Sequence, residues 1–306
     1  MAKEAFEQKL EALAALRQVG DRAVLLEALR KALRDKSNYY VSKAAAMVGE
    51  LGFVELTPEL LAGFDRFLVD PVKSDPKCWA KEAIVKALKE VGHRGSAVCL
   101  KGILHVQMEP VWGKEVDTAI GLRGACALLL ADSELSDLEV LDYLSVALAD
   151  PERAVRVDVA RAMVQLSCRE ALPLLRFKAL VGDEDVEVVG HCLAAMLEIG
   201  KGDEVAFVGR FLASKDDEVR AEAASVLAVS KEPGAMEALW AFWKQMLPED
   251  LRKSVLMSLG ASPQRQAAEL LVAIIEDGDE PMRRIHAARE ALQTSRYWRE
   301  FAGRVE

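Results

Sequence analysis

Between Asp216 and Ala228 the chain reads DDEVRAEAASVLA, with apolar residues spaced too densely for a helix that rests on one flat core. At about 100° per residue, with Val219 at the origin, Val226 falls near −20°, Ala223 near 40°, Leu227 near 80° and Ala224 near 140°. The arc is about 160° wide. A helix on a single core needs a narrower stripe, whereas one wedged between its hairpin partner and the next unit of an array buries both flanks. Small residues at Ala223 and Ala224 let similar helices pack closely.

The same pattern recurs along the chain. An apolar anchor, often Arg, two free positions, two small residues, one free position and two apolar residues describe VRAEAASVL from Val219, VRVDVARAM from Val155, LRGACALLL from Leu122, VVGHCLAAM from Val188 and LRKSVLMSL from Leu251. Looser copies begin at Tyr40, Trp79 and Met282. The eight anchors are 39, 43, 33, 33, 31, 32 and 31 residues apart, the signature of a repeat array. A second amphipathic segment lies between successive copies, as in ALPLLRFKALV and EVAFVGRFLAS, so each unit is a helical hairpin. Strand-like alternation is nearly absent, Pro and Gly fall between the periodic segments, and Asp, Ser or Thr precede many of them as N-caps. The chain reads as all-α.

These motifs resemble the HEAT-repeat family, especially the short HEAT-like class first described in phycobilisome lyases, and the resemblance runs from about Arg22 to Leu292. It implies a right-handed α-solenoid of about eight HEAT-like helical hairpins, a single array over residues 1–306, with a capping helix in 1–20, repeats in 21–292 and a C-terminal cap in 293–306. Phe6, Leu10, Leu13 and Leu16 at one end, and Tyr297, Trp298 and Phe301 at the other, are the residues expected to cover the terminal repeats, and two capped ends point to a complete unit. In that family an Asp–Arg ladder runs along the stack. The likeness carries this role to Arg123, Arg156, Arg220, Arg252 and Arg283 with Asp150, Asp183, Asp216, Asp250 and Asp279, interrupted where Ala80 and Val189 stand in place of Arg.

Lys and Arg total 40 against 49 Asp and Glu, a net charge of −9 with the signs intermixed. That balance disfavours a sequence-independent grip on phosphate backbones. The five cysteines, an odd number with no C-x-x-C pair, suggest neither a disulfide framework nor a zinc knuckle. A reducing, cytoplasmic setting fits them. Charges interleaved through MAKEAFEQKLEALAAL exclude a signal-peptide core, and no apolar run is long enough for a membrane span.

Positions two, three and six after each anchor are expected to face outward on the concave side, a small-residue-rich groove of mixed charge suited to a helix or extended peptide. The candidate partner contacts there are Lys81, Glu82, Asp158, Arg161, His191, Glu222 and Ser225. Two irregularities add candidates. The 43-residue spacing holds an extra connection, LHVQMEPVWGKEVD from Leu104 to Asp117, where Trp112 either marks a binding edge or plugs a joint between repeats. LWAFWKQM crowds Trp240 and Trp243 into one short helix; Trp243 belongs to the core arc, while Trp240, near its edge, is either a partner anchor or buried against a neighbour.

Chemistry is hard to find. The four histidines are never followed by Glu, which removes the di-iron pattern of the HEAT-like deoxyhypusine hydroxylases. Cys126 and Cys192 occupy small core positions and read as packing. No G-x-S-x-G, P-loop, GxGxxG or H-E-x-x-H occurs, and no cofactor or metal site is expected. The reading that results is a non-catalytic scaffold or adaptor binding a peptide or protein on its groove or insertion edge. The alternatives are a nucleic-acid-binding protein similar to the alkylpurine DNA glycosylases, or a bilin lyase-like chromophore-handling subunit.

Overall fold

The computed structural model describes residues 2–305 and falls into two compact units, Met1–Leu166 and Ser167–Glu306. The first contains α1 (Ala2–Ala15), α2 (Arg22–Leu33), α3 (Asn38–Leu51), α4 (Thr57–Leu68), α5 (Pro71–Ser74), α6 (Trp79–Glu90) and α7 (Ala97–Gly102). A two-stranded hairpin follows, β1 (Met108–Val111) and β2 (Lys114–Asp117), and then α8 (Ile120–Leu130), α9 (Asp137–Ala147) and α10 (Arg153–Leu166). The second unit contains α11 (Leu172–Val181), α12 (Val186–Gly200), α13 (Val205–Gly209), α14 (Asp217–Val229), α15 (Ala235–Trp243), α16 (Glu249–Ala261), α17 (Arg265–Glu276), α18 (Met282–Thr294) and α19 (Trp298–Val305). It is an all-α repeat fold, with one small antiparallel ribbon inserted.

The eight repeated motifs are the second helices of the hairpins. In the first unit α3 packs on α6, α6 on α8 and α8 on α10; in the second α12 packs on α14, α14 on α16 and α16 on α18. Local chemistry sets the boundaries: Asp21 caps α2 through the Ala23 and Val24 amides, Ser37 caps α3, and Ser136 with Glu139 forms a capping box on α9. Gly52 ends α3 in the left-handed region at φ 66°, where a side chain would be strained. Of the two-flank face read from the opening motif, Ala223, Ala224, Val226 and Leu227 are buried in α14, while the anchor Val219 is half-buried.

The repeat frame needs correction at two helices. In α6 the buried positions are Ala80, Lys81, Ile84, Val85, Ala87 and Leu88, one residue later than a frame anchored on Trp79 demands. The true anchor is Ala80, and Trp79 is 40% exposed. In α18 Met282 is 65% exposed and the buried residues begin at Ala288, so that frame also slides toward the C-terminus.

With the frame corrected, Lys81 fills the ladder position at which an interruption is expected. It lies 3.1 Å from Asp75, both side chains fully buried. Arg123 makes the corresponding contact six residues back, to Asp117 at 2.6 Å, and a second to Asp150 through Nε at 2.7 Å and Nη2 at 3.1 Å. At Arg252, Arg220 and Arg283 the ladder has other partners. Arg252 donates to the carbonyls of Trp243 and Gln245, Arg220 to Asp217, and the exposed Arg283 to Glu249, while Asp216 caps its own helix at the Glu218 amide. A buried guanidinium needs acceptors, and carbonyls freed at helix ends serve as well as carboxylates.

Arg123→Met leaves Asp117 and Asp150 buried without their cation. The expected cost is about 3–5 kcal/mol of unfolding free energy, measured by urea titration; a loss below about 1 kcal/mol would mean that this bridge does not hold the two turns.

Candidate functional site

Each expected groove residue has a definite place in the structure. Lys81 is a core residue and not a partner contact: its ammonium donates to the Phe67 carbonyl at 3.2 Å and Gln107 Oε1 at 2.9 Å besides pairing with Asp75. The one-residue slip of α6 turned it inward. Glu82, Asp158 and Glu222 lie half-buried across neighbouring second helices at glycines. A Cβ built on Gly121, Gly124 or Gly190 would stand 2.4, 2.2 and 2.2 Å from the respective carboxylate oxygens. These acids therefore fill space that glycine opens. Glu82 also accepts from Lys86, and Asp158 from the exposed Arg161. His191 is half-buried with Nε2 3.8 Å from Glu187, and Ser225 is half-buried on α14. Burial first, and then the charge of Glu187, hold the Glu222 carboxyl above its usual value.

The two tryptophans separate. Trp240 is half-buried with the Lys244 ammonium 4.9 Å above its ring, while Trp243 is buried and its Nε1 donates to Glu280. Trp112 is wholly exposed, at 101% of the reference area, so it plugs no joint. It occupies the tip of the β1–β2 hairpin, where Trp112 at φ 48° and Gly113 at φ 82° make a two-residue turn with both residues left-handed, the geometry that matches strand twist. Met108, Val111 and Val116 on the same ribbon are also exposed. The signal was present in VWGK, where a glycine follows a residue between two β-favouring segments, but helical periodicity elsewhere hid it.

A buried polar cage roots this ribbon in the helices. Glu109 Oε1 accepts from Gln107 Nε2 at 2.6 Å, the Thr118 hydroxyl at 2.7 Å and the Lys77 amide at 2.7 Å. Gln107 reaches the Asp75 carbonyl at 2.8 Å, and Asp117 accepts from the Gln107 and Ala119 amides as well as Arg123. Asp75 in turn accepts from Asn38 at 2.9 Å and from the Ala80 and Lys81 amides at 2.8 and 3.0 Å. The ionised forms are favoured. Burial opposes ionisation of Asp117 and Glu109, yet donors to both carboxylates outweigh it and hold them below their ordinary values. Sequence reasoning missed Asp75, Gln107 and Glu109, because they converge from segments far apart in the chain.

All five cysteines are buried, and burial pushes the Cys78 and Cys192 thiols up to about 12, far from reactive thiolates. Among the described residues no group of three or more His, Cys, Asp or Glu side chains is placed to hold a metal ion. No helix among them is long and apolar enough to cross a membrane.

A family model described as HEAT repeats matches residues 141–228 and 207–293, together half of the chain. The chain belongs to the HEAT-repeat family. Among solved structures it is similar to the complex of CpcE and CpcF of phycocyanin lyase from Nostoc sp. PCC7120, at 18% identity over 87% of this chain and 86% of that one, with a TM-score of 0.37. Two engineered proteins are similar at 16% and 18% identity, covering 94% and 88% of this chain and 95% of each of theirs, both with a TM-score of 0.27. No curated protein matches.

In HEAT terms, the ribbon is an insertion between α7 and α8, the two helices of one hairpin, and it widens that repeat. Its attachment is expected to depend on pH. A carboxyl whose folded value lies below the ordinary one contributes stability that is complete above the usual Glu value of 4.5 and is lost as pH falls through the depressed value. Lowering the pH from about 6 to about 3 is expected to reduce amide-exchange protection in residues 107–118, after correction for intrinsic rates, more than in α16. Glu109→Gln should flatten that dependence; an unchanged profile would remove Glu109 as the anchor.

Proposed function

We propose that this HEAT-repeat chain is a non-catalytic protein-interaction scaffold and that the β1–β2 insertion is its recognition element. The observation that carries the reading is Trp112, wholly exposed at the tip of a ribbon whose base is fixed by buried charges. HEAT repeats typically mediate protein interactions, and an exposed tryptophan on a pre-ordered support is the kind of residue that anchors an interface. Pro110 withholds one main-chain donor from β1, so recognition rests on side chains more than on strand addition. The five buried thiols support a reducing cytoplasm as the place of action.

The test is site-specific crosslinking. A photoreactive amino acid at position 112 is expected to capture a discrete protein in a lysate of the source cells, and Trp112→Ala is expected to weaken the purified complex by at least about 30-fold, the cost of losing a 2 kcal/mol anchor. Its circular dichroism and melting should match wild type. An unaltered affinity in Trp112→Ala would remove the hairpin as the recognition element.

A further inference from the structure

A second surface lies in the first unit, at the start of α3 and α6. Lys77 at φ 63° and Cys78 at φ 55° both sit in the left-handed region, which costs a residue with a side chain about 1–3 kcal/mol. The strain is held from below by Asp75, through the Ala80 and Lys81 amides, and by Glu109, through the Lys77 amide. Its result is to lift Trp79 out of the core register and set it beside Tyr39, ring centroids 5.1 Å apart and tilted at 60°. A cation covers each ring: Lys77 Nζ lies 4.9 Å from the Trp79 centroid and Lys43 Nζ 5.1 Å from that of Tyr39.

Between α3 and α6 the two aromatics border an open cleft of about 370 Å³ that Lys43, Lys86 and Glu82 also line. Across Tyr39, Lys43 and Ala46 it adjoins a second cleft of about 310 Å³, walled by Leu10, Leu13 and Met47 and by Arg17 and Glu50, which neutralise each other in an ion pair. Lys86 is engaged by Glu82. Among the described residues neither Lys43, in the lining of both clefts, nor Lys77, outside both linings but over the Trp79 ring at their edge, pairs with a carboxylate. In a chain of net charge −9 this is a locally cationic, aromatic trough, and complementarity calls for an anionic partner. Two uncompensated ammonium groups are too few for a phosphate backbone against that net charge. The apolar compartment beside them suits a side chain that a small anion lacks.

We propose that this trough binds an acidic peptide segment, with carboxylates on Lys43 and Lys77 and an apolar side chain packed beside Tyr39 and Trp79. It does not rest on the hairpin reading, since none of its residues belongs to the ribbon.

The probe is a fluorescein-labelled ten-residue peptide of Asp and Glu with one central Leu, compared with the same peptide carrying Asn and Gln and with a labelled ten-nucleotide oligothymidylate, followed by anisotropy at low salt. The acidic peptide is expected to bind most tightly. Lys43→Glu with Lys77→Glu, both exposed, should weaken it at least about tenfold, and Trp79→Ala at least about fivefold, while Trp112→Ala leaves it unchanged. Equal affinity for the amide peptide, tighter binding of the oligothymidylate, or an unchanged constant in the double lysine variant would each overturn the proposal. Should Trp79→Ala fail to fold, the lysine pair still decides it.

Discussion

Each second helix must bury two flanks at once, and most of the structure follows from that demand. Two-sided burial leaves little room for bulk, so the fourth position after the anchor is small in four of the helices, at Ala44, Cys126, Cys192 and Ala223. Where glycine opens the most space, a carboxylate from the neighbouring helix lies across it, as Asp158 does on Gly124 and Glu222 on Gly190. Side chains that the repeat pattern alone assigns to a partner are thereby drawn into packing.

A stack of hairpins also leaves unpaired carbonyls and turns at each joint, and basic residues close them. Arg123 and Lys81 do so with carboxylates, Arg252 with carbonyls. In the first unit these closures merge into one cage that links Asn38, Asp75, Lys81, Gln107, Glu109 and Thr118. Being buried and fully engaged, such a cage is stiff. It supports two exposed features from one base, the Trp112 ribbon on one side of Glu109 and the strained Lys77–Trp79 segment on the other. Local strain and exposed aromatic area, both unfavourable in isolation, persist because that base over-determines them.

Legibility in the sequence followed the range of the interactions involved. Helix identity, hairpin number, buried thiols and the core of α14 depend on residues within one or two turns, and the periodicity displays them. The frame of α6 was misread by one residue because Trp79 is the larger hydrophobe, while Ala80 fits the crowded interface. That single slip exchanged Lys81, read as a partner contact, for Trp79, read as core. The ribbon was visible as an interruption and its Trp112 as an irregularity, but nothing local announced that residues 37, 32 and 26 positions apart, Asn38 with Asp75, Lys77 with Glu109 and Lys81 with Gln107, bind one another.

By itself the sequence determined an all-α repeat chain of the HEAT family, since a repeating two-flank apolar pattern has few other ways to leave water. Only the tertiary structure decided which polar side chains are structural and which aromatic ones are displayed. The reason is physical: burial of a charge is settled by partners that distant segments supply, and the exposure of Trp79 and Trp112 is settled by the cage beneath them.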